Sequence, residues 1–190
     1  MMPVLLLVIG ILEFTVAYRD NVAVASAART GVRVASTGAD DGPCVPDAAD
    51  ETPCPSGAVP LLAQTAANAI ARAGTAVPEE AIRHIMVYKA NDNGFPGSLS
   101  STPSSCAGVS NCVMYVWRPL VGEFRYASGS WPSASINACF PSNVDSVGVN
   151  VVADHAFITG LFGATVTLSE RAVMQFEPLP PESCASGAHL

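Results

Sequence analysis

The stretch that decides the fold is Met1–Ser36, MMPVLLLVIGILEFTVAYRDNVAVASAARTGVRVAS. Between Met1 and Tyr18 only Pro3, Gly10, Glu13 and Thr15 are not apolar. From Arg19 the helical period continues with a polar face and runs to about Ser36. The pattern predicts one long helix, apolar all round in its first half and two-faced in its second. Residues 1–18 read as a transmembrane helix and 19–36 as its extramembrane continuation. Residues 37–178 read as an extracytoplasmic domain and 179–190 as a tail.

A spanning helix needs about 20 apolar residues, so the segment is short, and Glu13 interrupts it. A cleaved signal peptide is one rival, with Ala23–Val24–Ala25 as the cleavage site. It lacks the basic start such peptides carry, since no Lys or Arg precedes Arg19. A buried soluble helix is the other. Arg19, Arg29 and Arg33 all follow the span, which read alone places the rest of the chain in the cytoplasm. The six cysteines point the other way and are given more weight: all lie after the apolar segment, in loops rich in Pro, Gly and Ser, as disulfides of an oxidising compartment do.

Within the second half of the helix Ala23, Ala27, Gly31 and Ala35 recur every four residues, and Arg29 and Arg33 lie broadly on the other side. A seam of small side chains lets another helix or a sheet approach closely. It serves either the helix's own domain or helices of other subunits, and the sequence leaves both open. Glu13 is the singular residue. A carboxylate in an apolar span is costly, so it either sits at the water boundary near Tyr18 and Arg19 or pairs with a group on a partner helix.

Composition excludes several classes. With 190 residues there is room for one domain and an anchor. Net charge is −7 and the nine Lys and Arg are scattered, which argues against nucleic acid as a partner and leaves no polybasic segment for anionic lipid. Cys44, Cys54, Cys106, Cys112, Cys139 and Cys184 contain no C-x-x-C, and the three His are far apart, so no metal or other cofactor is expected. The nearest-neighbour pairing is Cys44–Cys54 and Cys106–Cys112, which leaves Cys139–Cys184. Asp40, Asp41, Asp47, Asp50 and Glu51 lack the spacing of a calcium loop and read as a solvated loop. There is no G-x-S-x-G, H-E-x-x-H or P-loop, so the chain reads as non-enzymatic. Asp154–His155 invites a triad, but adjacency says nothing about geometry. His155 reads as structural and His84 as a half-buried hydrogen-bonder.

The remaining pattern is α+β. Residues 59–73 read as a second helix, with Pro60 in its first turn, Gly74 and Pro78 as stops, and Leu62, Ala66, Ala69, Ile70 and Ala73 as its apolar face. Strands are expected over 82–89, 112–117, 122–127 at an edge, 147–152 and 164–177, with a long Gly/Ser/Pro/Asn loop carrying Cys106. Glu170 interrupts the apolar side of the last strand and predicts a bulge. Two helices followed by strands imply an antiparallel sheet covered by helices on one face.

Two blocks of residues resemble the TadE/TadG-like proteins of tight-adherence (Flp-type) pilus assembly. The first runs Pro3, Leu5–Leu7, Gly10, Glu13–Phe14, then Ala27–Ala28–Arg29–Thr30–Gly31–Val32–Arg33. The second runs Val147–Gly148–Val149, His155, Thr159–Gly160–Leu161–Phe162–Gly163, then Leu168 through Arg171–Ala172–Val173–Met174 to Glu177–Pro178. The strands at Val87–Tyr88–Lys89 and Cys112–Val113–Met114–Tyr115 are similar too, while the loops are unmatched. Members usually begin further upstream, so by this resemblance either the start at Met1–Met2 is late or this member lacks that segment. The resemblance implies a pilin-like fold and a single-pass membrane protein with an extracytoplasmic domain, acting in pilus or secretion assembly through helix packing. Its partners would be other pilin-like membrane proteins and membrane lipid. An anchored or secreted binding module unrelated to pili is the alternative, and an extracytoplasmic hydrolase a distant third.

Overall fold

A computed structural model describes residues 2–45, 55, 58–73, 77–139, 143–160 and 163–184, with side chains described from residue 4. The chain is α+β. Helix α1 runs unbroken over Met2–Ser36, and helix α2 over Leu61–Arg72. Five strands follow: β1 Ile82–Ala90, β2 Cys112–Arg118, β3 Glu123–Ser130, β4 Ser146–Ala156 and β5 Thr165–Gln175. They form one sheet in the order β3-β2-β1-β4-β5, every neighbouring pair antiparallel.

Alternation along the strands makes two apolar faces. Ile85, Val87, Val113, Tyr115, Phe124, Val147, Val149, Val151 and Ala153 face α1 and α2 in the main core. Met86, Tyr88 and Cys112 form a smaller cluster on the other face, with Cys106 of the 91–111 loop packed into it. The loop is therefore a third layer, which its composition does not announce. Asn91 organises it: the side-chain amide donates to the Gly97 and Leu99 carbonyls, and its oxygen accepts from the Asn93 and Phe95 N–H groups. The Cys106–Cys112 disulfide closes the loop onto β2. Tyr88 lies flat over Gly148, where an added Cβ would stand 2.3 Å from the ring.

Cys139 is bonded to Cys184, and Cys44 is also in a disulfide. Its expected partner Cys54 lies outside the described residues, as do Asp47, Asp50 and Glu51. Helix α2 starts after Pro60, which stands at its N-cap instead of in its first turn. Its buried face is Leu62, Ala63, Ala66, Ala67 and Ile70, with Gln64 beside it. Ala69 is half-buried and Ala73 exposed, so the helix is rotated from the expected face. The rotation lets Gln64 donate to the Phe124 carbonyl on β3.

No bulge occurs at Glu170. The β4–β5 ladder is continuous from Ser146↔Gln175 to Ala156↔Thr165. Because β5 is the edge strand, Glu170 stays half-exposed opposite Val151 and needs no backbone break. Irregularities fall instead in β1, between Ile82 and His84, and between β2 and β3 at Met114/Tyr115.

His84 is half-buried as expected, but among the described residues its buried Nε2 has no hydrogen-bond partner. Burial, reinforced by the Arg83 charge, lowers its pKa. The unfolded chain then takes up the proton first, so stability contributed by neutral His84 is present above its ordinary pKa of about 6.5 and is lost as pH falls below it. We expect the urea midpoint to fall from pH 7.5 to pH 5.5 less steeply in His84→Gln than in the wild type. Parallel slopes would show that His84 does not contribute.

Candidate assembly interface

Helix α1 has two environments along its length. From Val24 to Ser36 one side is sealed in the domain: Val24, Ala27, Ala28, Gly31, Val32, Ala35 and Ser36 are all buried. The Ala23–Ala27–Gly31–Ala35 seam is the contact line, with Ala23 half-buried at its start. At Gly31 an added Cβ would lie 2.7 Å from Ile70 Cδ1 and 3.3 Å from Val149 Cγ1, so α2 and β4 both press on this point. The seam therefore serves the chain's own domain. Arg29 and Arg33 are exposed on the other side. The end of α1 is tied down where Glu177 N–H donates to the Ser36 carbonyl.

The closeness at Gly31 makes a graded prediction. Gly31→Ala should be close to neutral, because the clash is with the end of a flexible Ile side chain and Ala gains about 1 kcal/mol of helix propensity. Gly31→Leu should cost roughly 1–3 kcal/mol by overpacking. Thermal melts of the two variants test this, and equal melts would show that the contact is looser than the geometry says.

Toward its N-terminus α1 leaves the domain. Val4, Leu5, Leu6, Leu7, Val8, Ile11, Leu12 and Phe14 are all exposed, at 48–66%. Gly10 and Glu13 alone are buried in this part, and the β4–β5 hairpin reaches up to Glu13. The Glu13 carboxylate accepts from Ile158 N–H at 3.0 Å, from Thr159 N–H at 2.6 Å and from the Thr159 hydroxyl at 2.6 Å. These bonds sit 145 residues apart in sequence, which no local pattern reveals. The carboxylate thus finds donors within its own chain, two backbone N–H groups and a hydroxyl of one turn.

Two turns further along, Asp20 Oδ2 meets His155 Nδ1 at 2.7 Å. His155 is 5% exposed, and the ring of Phe157 stands edge-on to it at 5.2 Å. The Asp20 carboxylate also pairs with Arg19. Across the sheet, Asp154 takes Arg83 at 3.2 Å and the Thr167 hydroxyl at 2.9 Å. His155 is thus a structural hydrogen-bond partner of Asp20, held between sheet and helix. Glu13 and Asp20, seven residues apart on one helix face, both fasten the same hairpin.

Glu13→Leu removes all three hydrogen bonds at once. The Ile158 and Thr159 amides should exchange with solvent faster while amides in β1 are unchanged. Unaltered exchange at the hairpin would show that the tip holds itself in place.

A shallow groove of about 530 Å³ lies at the opposite end of the sheet, lined by Asn91, Asp92, Asn93, Asp145 and Arg171 among others. Two of its charged groups are engaged in structure: Asp145 takes Lys89 at 2.6 Å, and Arg171 covers the Phe95 ring at 3.7 Å while donating to the Gly94 carbonyl. Among the described residues no group of His, Cys, Asp and Glu is placed to hold a metal ion.

No family model, curated protein or solved structure matches the chain. Among the described residues no helix is long and apolar enough to cross a membrane. The transmembrane helix expected over residues 1–18 is thus not met by the described part of α1. Val4 to Tyr18 rises about 21 Å at 1.5 Å per residue, against a hydrocarbon core of about 30 Å.

Proposed function

We propose that the chain is a non-enzymatic, membrane-associated, pilin-like assembly subunit. Its α1 inserts its apolar end among lipid and the helices of partner subunits, and its disulfide-stapled domain lies on the extracytoplasmic side. The observation that carries this is the division of α1. From Val24 onward one side is buried in the domain, and before Tyr18 the helix is apolar on nearly every side and exposed except at Gly10 and Glu13 and, in part, Ile9, Val16 and Ala17. Exposed apolar surface of this extent marks a site that something else covers. The resemblance to TadE/TadG-like proteins at Pro3–Phe14 and Ala27–Arg33 supports the same role, as do the disulfides.

The apolar end acts by removal from water, at roughly 25 cal/mol per Å² of apolar surface buried. The folded domain sets where on the helix that burial stops, because the Glu13 and Asp20 contacts hold the hairpin at a defined height. Specificity for partners then falls to the exposed side chains Leu12, Phe14 and Tyr18 and to the outward Arg29 and Arg33.

A photo-crosslinking amino acid at Leu12, with the same group at Asn93 for comparison, tests the proposal in cells that make the full chain. Crosslinks from position 12 to other small helical membrane proteins or to lipid support it. Equal crosslinking at both positions, or none at 12, would refute it.

A further inference from the structure

We propose that the end of the β4–β5 hairpin that carries the exposed Ile158 enters the lipid headgroup boundary beside α1, so that two elements of the chain contact the bilayer. This rests on the membrane-associated reading above and goes beyond it, since that reading needs only the helix.

The first observation is height. Glu13 lies within the apolar run of α1, and its carboxylate is bonded to Ile158 and Thr159. The hairpin tip is therefore level with Ile11, Leu12 and Phe14. Any lipid that covers those side chains meets the tip as well. Ile158 is 77% exposed there, a large apolar side chain turned outward at the end of a strand pair.

The second is charge. From Ala156 to Leu168 the sequence carries no charged residue. Directly below, the ion pairs Arg19–Asp20 and Arg83–Asp154, joined by the Asp20–His155 hydrogen bond, form a charged belt running from α1 across β4 to β1. Glu13 and Asp20 are seven residues apart, about 10 Å along the helix. A charge-free cap over a charged belt at this spacing is complementary to the two sides of a lipid–water boundary, where inserted elements lie about 5–10 Å deep.

The third is hydrogen bonding. Backbone at membrane depth must have its polar groups satisfied. Ile158 and Thr159 give their N–H groups to Glu13, Phe157 N–H donates to the Ala164 carbonyl, and Gly163 N–H to the Gly160 carbonyl. The arrangement is reciprocal. The turn neutralises the cost of a carboxylate in the apolar part of α1, and the carboxylate neutralises the cost of turn amides leaving water.

The test uses the full chain with an environment-sensitive fluorophore on single cysteines: Leu12→Cys, Ile158→Cys and Asn93→Cys. Among the described residues no cysteine is free, so labelling is selective. Asn93 lies just past Ala90, where β1 ends opposite the start of β4, at the far end of the sheet. The proteins are reconstituted into phosphatidylcholine/phosphatidylglycerol vesicles with or without doxyl-labelled lipid. The expected result is a blue shift and loss of emission to the lipid quencher at positions 12 and 158, and neither at 93. Quenching at 12 without 158 would overturn this inference and leave the membrane-associated reading standing. Quenching at neither position would remove both. A blue shift at 158 that lipid does not quench would mean that a protein surface covers the tip, which also overturns the inference.

Discussion

Trp131→Ala should lower the stability of the folded domain by about 3–5 kcal/mol, a large share of the roughly 5–15 kcal/mol available to most domains. Trp131 is fully buried and stands where three segments converge. It follows β3 directly. Its backbone N–H donates to the Ala58 carbonyl at 2.8 Å, which fixes the approach to α2. Its ring lies 6.4 Å from that of Phe176, at the exit from β5. The next residue, Glu177, donates to the Ser36 carbonyl at the end of α1. Removing the indole opens a cavity at this junction and loosens the far end of α1. A melting temperature lower by on the order of 10 °C is expected. A change of a degree or two would show that the junction is held by something other than this ring.

Replacing Cys139 and Cys184 together by Ser is expected to cost about 2–4 kcal/mol, because the bond closes a long loop and restricts the unfolded chain. The two cysteines are 45 residues apart in sequence. Between them run β4, the hairpin that holds α1, and β5. The bond secures the C-terminal helix Pro181–Cys184 to the segment before β4, beside the Leu179 N–H to Ala138 carbonyl hydrogen bond. The urea midpoint of the double variant should drop, and reduction of the wild-type protein, which also opens the Cys106–Cys112 bond and the disulfide of Cys44, should lower it at least as far. A wild-type midpoint indifferent to reductant would contradict the structural role. It would also remove the main reason for placing the domain in an oxidising compartment.

Most of the fold was legible because it rests on period. The apolar-then-amphipathic pattern of Met1–Ser36 marked α1, and the Val-rich alternation at Val147–Val151 marked β4. The edge position of β3 followed from its short, polar sequence, although it extends to Ser130. Less legible were features made by distant pairs. The hydrogen bonds of Glu13 to the hairpin tip, and of Asp20 to His155, join residues that share no local pattern. The only trace of them is two acids spaced seven apart on a helix whose seam is otherwise small and apolar. The 91–111 loop appeared featureless because its order comes from the Asn91 side chain, one disulfide and the Arg171–Phe95 stack, none of which is periodic. Glu170 was misread because a charged residue on an inward-facing register looks like a break, whereas an edge strand leaves it room beside solvent. The seam of small residues was readable as a seam. Which surface it met was not, since α2 and a partner helix would ask for the same side chains.

The account turns on the apolar half of α1, and the most direct measurement is membrane fractionation of cells making the full chain, with extraction at alkaline pH. We predict that the protein sediments with membranes and resists extraction. Leu7→Asp with Leu12→Asp should release it, while Arg29→Ala with Arg33→Ala should leave it in the pellet. A protein recovered in the soluble fraction as a monomer, with the Asp substitutions making no difference, would contradict the account.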